Sequence, residues 1–113
     1  MVGGGSWATA IVKILTENKI PTYWYCRRRY QVEGIRRTGR NPDYLHNVKL
    51  DRDLVTPSDD LLEVIKRSRV IIFVVPSSSL SQLCEKIPRD LLQDKIIISS
   101  IKGITGDEQL PTA

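Results

Sequence analysis

Apolar positions along the chain change their spacing several times, which predicts alternating helices and strands. Between Ala8 and Leu15 they recur every three or four residues, so this stretch predicts a helix that ends near Asn18. The aromatic, β-prone run 22–26 that follows predicts a strand. A short helix is expected next, over about 29–37, and then a turn at 41–43.

The second half of the chain continues the alternation. The stretch 48–56 is irregular and is expected to hold at most a short extended piece. Ser58 followed by two aspartates predicts a helix start with the serine as the capping side chain. The continuous apolar run 70–75 and the segment 95–99, with three consecutive isoleucines, predict buried strands covered on both faces, as in a parallel sheet.

A helix is expected between those two strands. It begins at the serine triplet 77–79 and is followed by a short turn from Pro88 to Leu92. Four residues are expected to face the core from this segment: Leu80, Leu83, Cys84 and Ile87.

This order of elements predicts an α/β fold with a Rossmann-like, doubly wound parallel sheet. Only Met1 and Val2 precede Gly3, whereas a strand needs about five residues. We therefore expect the first strand, which belongs in the middle of the sheet, to be truncated. Such a gap would leave backbone groups unpaired and would reduce stability.

Composition narrows the class of protein. The chain has 113 residues, of which 41% are hydrophobic, and a formal net charge of +4. These values fit one globular domain over 1–113 and exclude a collagen-like or wholly disordered chain. No apolar run reaches the roughly 18 residues of a membrane span, and no signal peptide is evident, so a cytoplasmic location is expected.

The cysteines and the single histidine do not form a metal-binding pattern. Cys26 and Cys84 lie far apart and belong to no CxxC motif, so both are expected to be buried, reduced residues. His46 has no ligand-spaced partner, and we therefore expect no metal site.

Positive charge is concentrated in one segment. Residues 27–40 contain six arginines and one acid, Glu33, for a net charge of +5, which leaves −1 for the other 99 residues. A solvated face is one explanation for such a segment, and binding of an anion is another.

A glycine-rich fingerprint opens the first helix. Gly3-x-Gly5-x-x-Ala8 matches the dinucleotide-binding pattern in its form with alanine at the third position. The first glycine permits a tight turn, the second lets the backbone approach a pyrophosphate, and the small third residue allows close packing. The helix N-terminus then receives the anion.

The residues after the next predicted strand bear on which dinucleotide is bound. NAD-selective sites place an acid there to bind the ribose 2′-hydroxyl, but this chain has Arg27 and Arg28. An arginine fork matches a 2′-phosphate and its plane can stack on adenine. The cofactor is therefore NAD or NADP, with NADP favoured.

Two further segments are expected beside the glycine turn, at the carboxyl ends of the strands. One contains Pro76, which we place on the cofactor side, and the other contains Lys102. Lys102 is the cation of its segment and could hold a substrate phosphate, although an ordinary surface lysine is an equal alternative.

Taken together, these segments resemble a known family. Residues 3–10, the Arg27-Arg28 pair, the Asn-Pro-Asp-Tyr-Leu run 41–45, residues 75–77 and the Lys-Gly-Ile run 102–104 occur in the order and spacing of one group of enzymes. They resemble the N-terminal NAD(P)-binding domain of bacterial NAD(P)-dependent glycerol-3-phosphate dehydrogenase, over essentially the whole chain.

The resemblance implies an oxidoreductase that interconverts sn-glycerol 3-phosphate and dihydroxyacetone phosphate for phospholipid synthesis. It implies cofactor contacts at Ser6 and Trp7, at Arg27 and Arg28, and at Tyr44, and contacts of Lys102 with both cofactor and substrate. The family's catalytic lysine lies in a second, helical domain that this chain lacks, so we expect no catalytic residue here and no activity of the chain alone. The resemblance leaves open whether the full-length parent is a homodimer.

Two alternatives remain at this stage. The first is another Rossmann nucleotide-binding domain or a fragment of a hydroxy-acid dehydrogenase, which the fold by itself does not exclude. The second is a basic nucleic-acid-binding module that uses the segment 27–40 with Tyr30 and Tyr44. The slightly acidic remainder of the chain and the lack of a nucleic-acid-binding motif argue against the second, so we expect no nucleic-acid partner.

Overall fold

Parallel strands with helices packed on both faces make up the part of the chain that the computed structural model describes, residues 1–99. None of the helices in this part is long and apolar enough to cross a membrane. In chain order the elements are α1 (Ser6–Glu17), β1 (Thr22–Tyr25), α2 (Arg29–Thr38), β2 (Val55–Ser58), α3 (Leu61–Arg67), β3 (Val70–Phe73), α4 (Ser77–Glu85), a 3₁₀ turn (Arg89–Leu92) and β4 (Ile96–Ser99).

The four strands form two parallel pairs. β1 lies beside β2, with Thr22 opposite Val55, and β3 lies beside β4, with Val70 opposite Ile96. Each pair is connected through a helical crossover, as the predicted alternation requires. The doubly wound α/β prediction is confirmed.

Met1 and Val2 join the two pairs at the centre. Val2 bridges Tyr25 on one side and Phe73 on the other, both in parallel orientation. Its amide donates to the carbonyl of Ile72 at 2.9 Å, and the amide of Tyr25 donates to the carbonyl of Met1 at 2.8 Å. Val2 makes isolated bridges instead of a full strand, and Met1 and Val2 together pair with both neighbours.

The two central residues point to opposite faces of the sheet. Met1 packs among buried side chains of α1, α2 and β1, whereas Val2 packs with α3 and β3 on the other face. Burial of the Met1 α-amino group, which donates to the Tyr23 carbonyl at 2.9 Å, lowers its pKa to about 6. The largest fully buried side chain, Trp24, lies on the Met1 face.

The prediction of coverage on both faces is confirmed for β3, where Ile71 and Phe73 pack on one face and Ile72 packs on the other, but it is wrong for β4. In β3, Ile71 and Phe73 are buried but Val70 is 42% exposed, and in β4 Ile96 is 61% exposed. β4 lies at the edge of the sheet, and no element among residues 1–99 pairs with its outer side. Apolar composition alone therefore identified strands correctly but not the exposure of β4.

The start of α3 is capped by a different residue from the one predicted. Asp60 Oδ1 accepts from the amide of Glu63 at 3.2 Å, whereas Ser58 is the last residue of β2 and its hydroxyl accepts from the amide of Asp60 at 3.0 Å. Ser58 is too early to cap because the strand, expected as a short extended piece within 48–56, runs over Val55–Ser58.

The prediction that Cys84 is buried is also wrong. Ile87 is buried and Leu80 and Leu83 are half-buried, but Cys84 is exposed. Cys26, at the end of β1, is buried as expected, and burial raises the pKa of its thiol to about 12.

The two thiols are therefore expected to differ in reactivity. Cys84 should react rapidly with a thiol reagent at pH 8, while Cys26, buried and protonated, reacts only after denaturation. Titration with a chromogenic disulfide should show one fast thiol in the native chain and two in denaturant. Cys84→Ser should abolish the fast phase, and equal rates for both thiols would contradict this fold.

Candidate dinucleotide site

A cavity of about 370 Å³ opens at the carboxyl ends of β1 and β3, beside the glycine turn. This is the crevice in which doubly wound sheets bind their ligands. Its walls come from the glycine turn, the segment after β1, the loop before β2, the end of β3 and one face of α4: Gly3, Gly4, Gly5, Tyr25, Arg27, Arg28, Gln31, Tyr44, Val74, Val75, Pro76, Ser79, Gln82, Leu83 and Lys86.

The first fingerprint glycine is required by backbone geometry. Gly3 has φ +136°, and a Cβ there would lie 2.1 Å from the carbonyl oxygen of Val74. The second, Gly5, has no atom within 4 Å of the position that a Cβ would take. The backbone at Gly5 is therefore open to close approach from the cavity side, which is what a bound pyrophosphate needs.

The N-terminus of α1 faces this turn. Gly5 is the extended residue before the helix, no described side chain caps the helix start, and the first turn contains no acid. Such an end favours an anion. Ser6, the first helical residue, is exposed, Trp7 is 53% exposed and outside the cavity lining, and Ala8 is fully buried in the core.

A buried polar network fixes the glycine turn from behind. The Gly4 carbonyl accepts from Gln31 Nε2 at 2.8 Å and from Asn41 Nδ2 at 3.1 Å. Gln31 Nε2 also donates to Asn41 Oδ1 at 3.0 Å, and Asn41 Nδ2 donates to Thr9 Oγ1 at 2.9 Å. All three side chains are almost fully buried, so the network ties α1 and α2 to the turn.

Sequence reasoning missed these three polar residues. Asn41 is predicted as a turn residue and as part of a family motif, Thr9 only as part of another such motif, and Gln31 has no predicted role. Their spacing along the chain, 32 residues from Thr9 to Asn41, carries no local signal, because the network exists only once α1 and α2 pack together.

Arg27 and Arg28 line the cavity where β1 ends and α2 begins. Arg28 is the residue that precedes α2, and its Nη1 lies 3.9 Å from Asp43 Oδ2. Arg27 makes no ion pair with residues 1–99. The sequence shows no acid directly after the strand, but the loop before β2 brings Asp43 to this place.

Most other arginines of the basic segment are held by nearby groups. Arg29 lies 3.3 Å from both Glu33 and Asp59, and Arg36 Nη1 lies 3.5 Å from Glu33. Arg40 donates to the carbonyl of His46 at 3.2 Å. These contacts engage Arg29, Arg36 and Arg40. At the cavity, Arg28 has the longer contact with Asp43, and Arg27 has no acid partner among residues 1–99.

The remaining predicted site residues lie as follows. Tyr44 and Pro76 both line the cavity, together with Arg27 and Arg28. Lys102 lies outside the described residues.

One face of α4 also lines the cavity and was not predicted. Ser79, Gln82, Leu83 and Lys86 follow the spacing i, i+3, i+4 and i+7, which places them on one side of the helix and its end. Of these four residues, only Leu83 has a predicted side-chain role, in the core.

Local electrostatics shift two tyrosines near the cavity. Burial raises the pKa of Tyr25, and the hydrogen bond that Tyr30 donates to Asp43 raises the pKa of Tyr30. Within residues 1–99, no three His, Cys, Asp or Glu side chains are grouped so that they could hold a metal ion.

Comparison with known proteins decides the family. A family model described as NAD-dependent glycerol-3-phosphate dehydrogenase N-terminus matches residues 1–112. The chain belongs to this family. The resemblance found from the sequence motifs is thereby confirmed at the level of the family.

Curated members of the glycerol-3-phosphate dehydrogenase family show the same relationship. A glycerol-3-phosphate dehydrogenase [NAD(P)+] of Pseudomonas putida strain F1 is 36% identical over 104 residues, covering 92% of this chain and 30% of the relative. One of Teredinibacter turnerae is 32% identical over 110 residues, covering 97% of this chain and 32% of the relative. The chain thus spans about a third of the length of these family members.

Solved structures share the fold of this chain. The DsGPDH of Dunaliella salina superposes with a TM-score of 0.78 at 22% identity, over 92% of this chain and 21% of that protein. The Plasmodium falciparum glycerol-3-phosphate dehydrogenase superposes with a TM-score of 0.74 at 27% identity, over 90% of this chain and 31% of that protein.

Asn41 offers a test of the polar network. Replacing Asn41 by Ala leaves the Thr9 hydroxyl and the Gly4 carbonyl with fewer partners in a buried position. We expect the free energy of unfolding to fall by about 1–3 kcal/mol, measured by urea denaturation. The matched control is Asn47→Ala, at an exposed position. Equal stabilities for the two variants would argue against the network.

Proposed function

We propose that this chain is the cofactor-binding portion of an NAD(P)-dependent sn-glycerol-3-phosphate dehydrogenase. The observation that carries the proposal is the cavity at the carboxyl ends of β1 and β3, which unites the fingerprint glycines with the arginine pair and Tyr44. Family membership supports the same assignment as a cofactor-binding domain. The proposal extends to dihydroxyacetone phosphate and glycerol 3-phosphate as the substrate pair.

The residues present fit a dinucleotide. The open backbone at Gly5 and the uncapped start of α1 suit the pyrophosphate, and Arg27 and Arg28 suit the adenosine end. When bound, the reduced dinucleotide supplies the hydride that converts the ketone of dihydroxyacetone phosphate into the alcohol of glycerol 3-phosphate. The chain's own part is to hold and orient that cofactor.

We also propose that NADP is preferred over NAD. Arg27 has no ion-pair partner in the described part of the chain, and Arg28 has only exposed contacts, with Asp43 and with the Tyr30 hydroxyl. Both guanidinium groups are therefore available to a 2′-phosphate, with which arginine makes strong, charge-assisted hydrogen bonds. Ser6, Trp7 and Lys102 are part of the same proposal through their match to the family's motifs, with Lys102 also proposed to contact the substrate.

The alternatives are less well supported. A nucleic-acid-binding role would use the basic segment as one surface, but Arg29, Arg36 and Arg40 are engaged with neighbouring groups. A different hydroxy-acid dehydrogenase would share the fold but not the family match over residues 1–112. A cytoplasmic location belongs to the proposal as well, supported by two cysteines that form no disulfide.

Replacing Arg28 by Ala tests the cofactor assignment. The variant should bind NADPH about tenfold more weakly, because a charge-assisted contact with the 2′-phosphate is lost, while NADH binding changes little. Affinities are measured by titrating cofactor fluorescence with the 113-residue chain. Arg37→Ala removes the same charge from an exposed position outside the cavity. Equal NADPH affinities for wild type and Arg28→Ala would refute the 2′-phosphate role.

The isolated 113-residue chain should show no turnover. Ketone reduction needs a proton donor at the substrate oxygen as well as a hydride, and none of the chain's residues is proposed for that task. The measurement is NADPH oxidation at 340 nm with dihydroxyacetone phosphate, with a full-length relative as positive control. Reduction by the purified chain above the no-protein rate would overturn this part of the proposal.

A further inference from the structure

We propose that Asp43 is a specificity-determining residue that weakens binding of the 2′-phosphorylated dinucleotide and so moderates the preference for NADP. The inference rests on the proposed cofactor site at Arg27 and Arg28. It concerns a carboxylate that the chain brings to the end of β1 from a loop 15 residues beyond Arg28.

The position of Asp43 is fixed by the buried network behind the glycine turn. Its amide donates to Asn41 Oδ1 at 3.0 Å, and Asn41 is fully buried. The Tyr30 hydroxyl donates to Asp43 Oδ2, the same oxygen that faces Arg28. The carboxylate is therefore held from two sides, by backbone and by a neighbouring side chain.

Arg28 is held much less firmly than Asp43. Its Nη1 lies 3.9 Å from the carboxylate, at the outer limit for an ion pair, and its side chain is 53% exposed. An exposed pair with this separation contributes little to folding stability. The guanidinium is thus free to turn toward a ligand, whereas the carboxylate stays where it is.

A phosphate bound by Arg28 would also face the Asp43 carboxylate. The 2′-phosphate carries up to two negative charges, and like charges a few ångströms apart repel even through solvent. With screening by salt, we expect the repulsion to weaken NADPH binding by about threefold to tenfold. A 2′-hydroxyl has no such repulsion, and a carboxylate can accept its hydrogen bond, as the acid of NAD-selective sites does.

Asp43→Asn provides the principal test. The amide keeps the shape of the side chain and can still accept from Tyr30, but it removes the charge. We expect NADPH affinity to rise about threefold to tenfold and NADH affinity to stay the same or fall. The ratio of the two dissociation constants is measured with the 113-residue chain at fixed ionic strength. Glu33→Gln, on α2 outside the cavity, is the charge-matched control.

Tyr30→Phe gives an independent test in the opposite direction. Without the hydroxyl, the Asp43 carboxylate loses a hydrogen-bond donor and Arg28 loses a neighbouring acceptor. The carboxylate then attracts the guanidinium more strongly, at the expense of the phosphate. NADPH affinity should fall by about twofold, with NADH affinity unchanged or slightly raised. Tyr30 is 53% exposed and outside the cavity lining, so the substitution leaves the core intact.

The outcomes separate this inference from the proposed function. If Arg28→Ala weakens NADPH binding but Asp43→Asn leaves the NADPH/NADH ratio unchanged, the role of Asp43 is refuted and the cofactor site stands. If neither substitution affects NADPH binding, both the site and the inference are refuted. Should Asp43→Asn lose its native circular dichroism, the Tyr30→Phe result decides, and an unchanged ratio there overturns the inference.

Discussion

Backbone pairing by two residues at the centre of the sheet is the constraint on which the rest of the structure depends. Val2 bridges Tyr25 and Phe73, and its carbonyl accepts from the amide of Val74 at 2.8 Å. Without these bonds the pair β1–β2 and the pair β3–β4 would have no shared ladder. Because Gly3 directly follows Val2, the same pairing places the glycine turn at the carboxyl ends of β1 and β3.

The glycine turn packs closely against the backbone of Val74 on one side and is hydrogen-bonded by buried polar side chains on the other. Gly3 leaves no room for a side chain against Val74, while the Gly4 carbonyl is held by Gln31 and Asn41. Satisfied polar groups in a buried position are costly to disturb, since each unpaired atom loses its solvation without replacement. The turn is therefore held by contacts on both sides at the place where a pyrophosphate would approach.

At the Arg27–Arg28 end of the cavity, less positive charge is available to a ligand than the net charge of segment 27–40 indicates. Most of its arginines pair with acids or carbonyls nearby, so the charge available to a ligand comes chiefly from Arg27 and Arg28. Asp43 then adds a negative group beside one of them. Selectivity between two dinucleotides that differ by one phosphate depends on such local balances, because the two cofactors are otherwise identical.

Local patterns in the sequence determined the order of helices and strands, the doubly wound class and the glycine and arginine positions around the cavity, because periodicity and backbone demands act over neighbouring residues. The family followed from motifs spread over the chain. Tertiary structure alone decided the exposure of β4 and Cys84, the network of Thr9, Gln31 and Asn41, and the approach of Asp43 to Arg28. Each of these depends on which distant segments pack against one another, and no local pattern records that choice.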